Sequence, residues 1–460
     1  MKTTDPQNPD VEASLTATRS TGPHRRSANN LVWHLQHEVV ASRLLWCVLV
    51  VAALGLIPAR VRGADTPGAW PRHVIDGSSH GADGVRLGDL DGDGLPDIVT
   101  GWEEGGVARV CLNPGPDACR KRWPSVTVGA TPSAEDALFV DLDGDGTLEV
   151  VTCLEGTARR VQVHWPPTLP VGADASARRR LLLDPDSWRT ETLPATAGKA
   201  MWMFCVPLQV DGENGVDLIV GSKGDGASIS WIEAPEDPHD LAAWRLHPLR
   251  NAGWIMTLAT ADLDHDGDAD LLASDRKGAR RGVFWLENPG PRETRAGQAW
   301  SEHAILTAPD DIMFVDCLPS GAGWQLAAAV KPRRLVVYTS GDGVSEPWRI
   351  TQEVAIPSGF GTAKAVRFAV LQSASPAGLV FTCEGASGDR SGVGWFPADS
   401  TGRFHEARDI GGPAGVKYDL IELLDLDADG DPDVITCEES DNLGVIWYEN
   451  PVINASVCAR

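Results

Sequence analysis

The sequence predicts an all-β protein, a seven-bladed β-propeller whose ring is closed by an N-terminal outer strand joining the last blade. Three observations lead there. A phrase with acids on alternate positions recurs along the chain, four short apolar or β-branched runs accompany each copy, and the pattern opens on a fourth run at Trp70 but ends on a third at Trp447. Loops starting at 89, 141, near 209, 262, near 314, near 368 and 425 set a period of about 55 residues, with one longer insertion in the second unit.

Each loop lies between two apolar runs, such as ALFV before and VVT after it in the second unit, which read as a buried pair of strands. A third run follows and stops at Pro: SISWIEAP from Ser228, GVFWLENP from Gly282 and GVIWYENP from Gly444. The fourth opens on Trp, as in WPRHVI at Trp70, WRLHPL at Trp244 and WSEHAI at Trp300, with looser forms at Trp123, Trp188 and Trp348 and RFHEARDI as the seventh. Four strands in each of seven units read as radial blades with short, protected edges. The offset between first and last runs lets the N-terminal strand complete the last blade, whereas a linear solenoid would cap its ends.

The loops carry the clearest chemistry. In DLDGDGLPDIVTG, Asp89, Asp91, Asp93 and Asp97 stand at positions 1, 3, 5 and 9, Leu95 offers its carbonyl at position 7, and Gly94 permits the turn at position 6. Asp141, Asp143, Asp145, Thr147 and Glu149 repeat the set, as do Asp262, Asp264, Asp266, Asp268 and Asp270, and Asp425, Asp427, Asp429, Asp431 and Asp433. Such crowding repels itself unless a hard cation sits within it, and Ca2+ takes six to eight oxygens of this kind. An ordinary Asx turn needs one or two such residues, not four. The EF-hand reading fails, because position 12 of the last copy is Thr436 and Val434 and Ile435 begin a strand. About four Ca2+ sites are therefore expected. A fifth loop keeps Asp211, Glu213 and Asp217 but has Gln209 and Asn214 at positions 1 and 6, an incomplete set; two further copies, near Phe314 and Arg367, keep the apolar flanks without the carboxylates and read as metal-free hairpins.

This repeat resembles the FG-GAP/VCBS repeats, whose calcium-bearing propellers include the integrin α-subunit head. The resemblance spans about 70–451 and implies the fold and the metal; a fold of this kind hosts many functions.

The chain has 460 residues and a formal charge of −24. Nucleic acid is excluded as a partner, since phosphate binding needs a basic stripe. Residues 1–63 read as a polar extension plus signal peptide, with an apolar segment at 44–57 too short for a span, and 64–460 as the propeller. Cleavage after Gly63 or Ala64 would give a secreted, periplasmic or cell-surface monomer with no membrane span; a signal anchor is the alternative. Cys153, Cys383 and Cys437 share one repeat position and are expected as buried free thiols, while Cys111 and Cys119 flank NPGPD closely enough for a local bridge.

The face opposite the acidic loops is the candidate ligand site. Its second-to-third loops divide by charge, with Lys223, Arg276, Lys277, Arg280, Arg281, Lys331 and Arg333 in blades 3 to 5 and Glu384, Glu438, Glu439, Glu103, Glu104 and Glu155 in the others. Approaches to the inner strands add Asp83, Asp136, Lys199, Asp311, Lys364, Lys417, Tyr418 and Asp419. His73, His247 and His303 share a W-x-x-H position and read as repeated packing or hydrogen-bonding residues, while Trp102, Trp202 and Trp254, which fall outside the repeat, are expected to be exposed. Two functions follow. The first is a calcium-stabilised binding module for a glycan or an extracellular protein. The second is a carbohydrate hydro-lyase, because the chain is also similar to the propeller part of aldos-2-ulose dehydratases. Lys417, Tyr418, Asp419, Lys364 and Lys199 are then the candidates for proton abstraction and return. No nucleophile triad or cofactor fingerprint is present.

Overall fold

Seven antiparallel four-stranded sheets follow one another along the chain in the computed structural model. It describes residues 69–451 except 171, 173, 307–309, 342–346 and 373–374. The extension and signal segment expected at 1–63 lie outside the described residues.

Blade 1 runs outward through Ala82–Gly88, Asp97–Trp102, Val107–Cys111 and Ser125–Ala130, each strand pairing with the next. Blades 2 to 6 repeat this over 134–192, 201–251, 255–306, 312–355 and 362–409. Blade 7 takes three strands, Tyr418–Leu424, Asp433–Glu438 and Gly444–Tyr448, and its outer edge is Arg72–Asp76 from the other end of the chain. That edge pairs in the register Arg72↔Tyr448, His73↔Trp447 and Val74↔Ile446. The weakest outer strand, Arg408–Asp409, belongs to the one unit whose fourth run lacks the opening Trp. The carboxylate-free copy in blade 5 forms the expected plain hairpin, closing with Ser320↔Gly323.

Apolar faces meet between blades, where Trp102, Trp202, Trp447, Phe381 and Tyr448 are almost wholly buried. Each such burial contributes about 1.5–3 kcal/mol. Trp102 and Trp202 were expected to be exposed. They instead fill the gaps between successive sheets, because residues outside the repeat are still claimed by inter-blade packing. The shared histidines do what the repeat suggested: His73, His247 and His303 lie against the rings of Trp447, Trp231 and Trp285 and bond Glu449, Glu233 and Glu287 at 2.8, 2.7 and 2.6 Å.

Every innermost strand slips register near its start, at Asp83/Arg86, Ala134/Asp136, Trp202/Phe204, Ile255/Thr257, Ile312/Val315, Ala363/Val366 and Tyr418/Ile421. A bulge of this kind bends a strand and re-aims its side chains. Seven of them in a ring govern what faces the mouth of the channel. The second-unit insertion holds the helix Ala175–Leu182, capped by the Asp174 carboxylate on Ala177 N at 2.8 Å and anchored by Leu182. Among the described residues the cysteines are free: Cys111 and Cys119 form no bridge, and Cys153, Cys383 and Cys437 are buried thiols as expected. Cys111 instead bonds Asp76, and Cys119 the carbonyl of Pro116.

Candidate functional site

The loops between first and second strands gather at one end of the blades, and the second-to-third connections at the other. At the first end the alternating acids fold into near-identical rings. In blade 1 the Asp89 carboxylate accepts from Gly92 N and Gly94 N at 2.9 and 3.0 Å, and Asp93 accepts from Leu95 N at 2.9 Å. Gly94 sits at φ +88° and Gly146, Gly267 and Gly430 at +83°, +103° and +99°, a region other residues adopt at a cost. Oxygens of Asp89, Asp91 and Asp97 lie within 4.8 Å of one another, as do those of Asp141, Asp143 and Glu149, and of Asp262, Asp264 and Asp270. These sets could hold a cation.

Position 9 has a second task that spacing did not reveal. Asp97 accepts from Leu90 N and from Asn113 N, at 2.9 and 2.7 Å, tying the loop to the third strand. Asp270 does the same with Leu263 N and Asn288 N, and Asp433 with Leu426 N and Asn450 N, all at 2.9 Å. Burial pushes the Asp97, Asp270 and Asp433 carboxyls up to about 7, against the pull of those N–H donors. In blade 3 the Gln209 amide occupies the position-1 slot and donates to the carbonyls of Glu213, at 3.0 Å, and Gly215, at position 7. An amide N–H donor thus stands where the other loops carry a carboxylate. Basic groups missed in the sequence also reach the rings: Arg179, from the inserted helix, contacts Asp91 and Asp93 at 2.9 and 3.1 Å, Arg120 contacts Asp427, and His239 lies 3.2 Å from Asp143. The blade 4 ring has no such neighbour among the described ion pairs, and its Asp262 Oδ1 is buried without a hydrogen-bond partner.

A family model described as the FG-GAP-like repeat matches residues 89–152, from the blade 1 ring to the second strand of blade 2. The chain carries an FG-GAP-like repeat. That repeat contains two of the acidic rings, those of Asp89 and Asp141. No curated protein is similar enough to the chain to match it. Among solved structures, the chain is similar to BBS1N crystallised with ARL6DN, at 11% identity and TM-score 0.48, covering 84% of this chain and 99% of that one. It is also similar to the Cps50 (Swd1) β-propeller domain of Myceliophteria thermophila, at 12% and 0.48, covering 82% and 100%. A third is Sqt1 of Chaetomium thermophilum, at 13% and 0.49, covering 80% and 83%. Likeness at this level carries no argument about ligands or partners. Among the described residues no helix is long and apolar enough to cross a membrane.

At the opposite end the bulged strands and the second-to-third loops enclose a basin of about 280 Å³. Its wall carries six carboxylates, Asp83, Glu103, Glu135, Glu155, Glu384 and Asp419, against four cations, Lys223, Arg276, Lys364 and Lys417. Met203, Phe204, Met256 and Phe314 supply the apolar part. Most charges are paired. Lys223 bonds Glu135 at 2.9 Å and contacts Glu155; Lys364 bonds Asp419 at 2.8 Å; Lys417 contacts Glu439 and Lys331 contacts Glu384.

Three of the five candidate catalytic groups meet here, namely Lys364, Lys417 and Asp419. Tyr418 does not. Its ring is fully buried and its hydroxyl bonds Tyr448, at 3.2 Å, and the Ala414 carbonyl, so burial raises its pKa well above the usual value. Lys199 is exposed and outside the basin. Asp136 turns inward, fully buried, to Arg86 at 3.1 Å, and Glu135 lines the wall in its place, because the bulge reverses the expected alternation. Asp311 is taken by Lys277 at 2.8 Å and Arg276 at 3.3 Å. Glu438 is buried and spent on backbone N–H groups, those of Val416, Asp441 and Leu443. The predicted division of charge therefore survives as a ring of pairs rather than two opposed faces. Trp254 does reach the basin, but Lys223 and Arg276 sit 4.8 and 4.7 Å from its ring centre, making it part of the wall rather than a free platform.

Proposed function

We propose that the protein is a calcium-stabilised binding propeller, with Ca2+ in the rings of blades 1, 2, 4 and 7 and a small polar ligand, a terminal sugar of a glycan, in the basin at the opposite mouth. The basin carries this reading. Its 280 Å³ lies just under the usual range of small-molecule pockets, about 300–1,000 Å³, too small for a protein segment with side chains of any size. Its wall offers both carboxylate acceptors and ammonium donors, which suits a polyol. Export through the N-terminal signal segment fits the same reading, since weak Ca2+ loops fill at the millimolar concentrations outside cells.

Elimination chemistry finds less support. Burial lowers the Lys417 pKa, but Asp419, Asp83 and Glu439 together raise it beyond the normal lysine range, so the amine stays protonated and is a poor base. Binding of a glycan array, followed by calorimetry on any sugar captured, tests the proposal. Lys364→Ala and Glu103→Gln should each weaken binding at least tenfold. Binding that is unaffected by either substitution, or absent from every sugar, would refute it.

A further inference from the structure

The bases that reach the acidic loops all come from one kind of place, the connection between third and fourth strands of the following blade. Arg120, in that connection of blade 1, contacts Asp427 of blade 7 and holds Glu449 beside it at 2.9 Å. Arg179 of blade 2 reaches Asp91 and Asp93 of blade 1 at 2.9 and 3.1 Å, and His239 of blade 3 lies 3.2 Å from Asp143 of blade 2. Arg295 of blade 4 repeats the reach onto blade 3, 3.4 Å from Glu213 and donating to the Asp211 carbonyl. Connections as unlike as an NPGPD turn and an inserted helix thus deliver a base to the same spot.

The blade 4 ring breaks the series. The connection that would serve it, in blade 5, reads SGDGVSEPW from Ser340 to Trp348 and contains no Lys, Arg or His. Trp324 and Trp348 stand beside Asp264 instead. Five carboxylates crowd this ring, at 262, 264, 266, 268 and 270, where the blade 1 ring has four. The strongest charges acting on Asp264 and Asp268 are all those of acids, Asp262, Asp266, Glu287 and Glu293. Asp262 Oδ1 is buried with no hydrogen-bond partner. In the other five-acid ring, that of blade 7, both oxygens of Asp431 are likewise buried and unpartnered, and the side chain is 2% exposed, but there Arg120 offsets part of the charge.

We propose that the bases of the following blade stand in for a cation and compete with it, so that the blade 4 ring, which has none among the described residues, is the tight Ca2+ site and the rings of blades 1 and 7 are weaker ones. A guanidinium held against a ligand carboxylate repels an incoming divalent ion, and its charge-assisted bond must be given up before the ion can take those oxygens. Loops of this kind set their affinity by the charge of the ligand set. The ring with five acids and no base therefore gains most from an ion and resists it least. This ranking rests on the calcium reading above.

Calorimetric titration of the chelator-stripped intact chain with Ca2+ should resolve one tight ion ahead of the weaker ones. Asp264→Asn should remove it. Arg179→Gln and Arg120→Gln should each leave it in place and raise the affinity of one weaker ion about tenfold or more. A tight ion that survives Asp264→Asn, or arginine variants that bind Ca2+ as the parent does, would overturn the proposal. If Asp264→Asn does not fold, the arginine variants still decide, since both side chains are partly exposed and fill no core. An arginine with a purely structural role would lower stability in urea and leave every Ca2+ affinity where it was. Ions of equal affinity at every ring would sink the ranking and spare the calcium reading; no Ca2+ bound at all would sink both.

Discussion

Asp270 and Asp264 belong to the same acidic ring but should fail differently when truncated. Asp270 is 1% exposed and accepts from Leu263 N and Asn288 N, both at 2.9 Å. Asp270→Ala strands two buried N–H groups, each costing about 1–3 kcal/mol, so the loss should be about 2–6 kcal/mol with or without metal. Asp264 is half-buried and makes one bond within the ring, to Asp266 N at 3.1 Å, worth about 1 kcal/mol. Its main value would lie in holding Ca2+. Urea unfolding followed by tryptophan fluorescence, in EDTA and in millimolar Ca2+, separates the two. Asp270→Ala should be destabilised in both media, whereas Asp264→Ala should lose about 1 kcal/mol or less in EDTA and several times that in Ca2+. An Asp264→Ala penalty that is the same in both would mean the ring holds no ion. An Asp270→Ala chain as stable as the parent in EDTA would refute the structural role given to position 9.

Three further outcomes are expected. Burial holds the His164 imidazole down at about 3, bonded to Thr152 and Thr190, while the unfolded chain titrates near 6.5. Stability from this site is therefore complete above pH 6.5 and should fall by about 1.4 kcal/mol per pH unit as pH drops towards 3; His164→Gln should flatten that limb of a pH-dependent urea series, and an unaltered limb would discount it. Ala428 sits at φ +59°, where the equivalent residues of blades 1 to 3 are Gly92, Gly144 and Gly212, so Ala428→Gly should stabilise by about 0.5–1 kcal/mol in the same assay, and a loss would contradict the strain argument. Tyr418→Phe should cost about 1 kcal/mol of stability and leave sugar binding unchanged in calorimetry, and impaired binding would return Tyr418 to the site.

Blade number, strand order and the four acidic rings were legible in the sequence by itself, because each depends on contacts a few residues apart, repeated until chance is no explanation; the N-terminal edge of blade 7, which pairs Arg72 with Tyr448, was legible only through the offset between the first and last runs of the repeat. Asp89 and Asp425 meet their ring partners through a turn written in the intervening glycine. The basin was only half legible. Lys364, Lys417 and Asp419 were anticipated, yet Glu135 replaced Asp136, Tyr418 and Lys199 dropped out, and Trp102 and Trp202 vanished between blades. Those outcomes depend on a bulge in each inner strand, which reverses side-chain parity without leaving a mark in hydropathy, and on ion pairs between blades, such as Lys223 with Glu135, formed by residues 88 positions apart. Local repetition encodes the blade, but which charges find partners is decided only when the ring brings distant strands to one mouth.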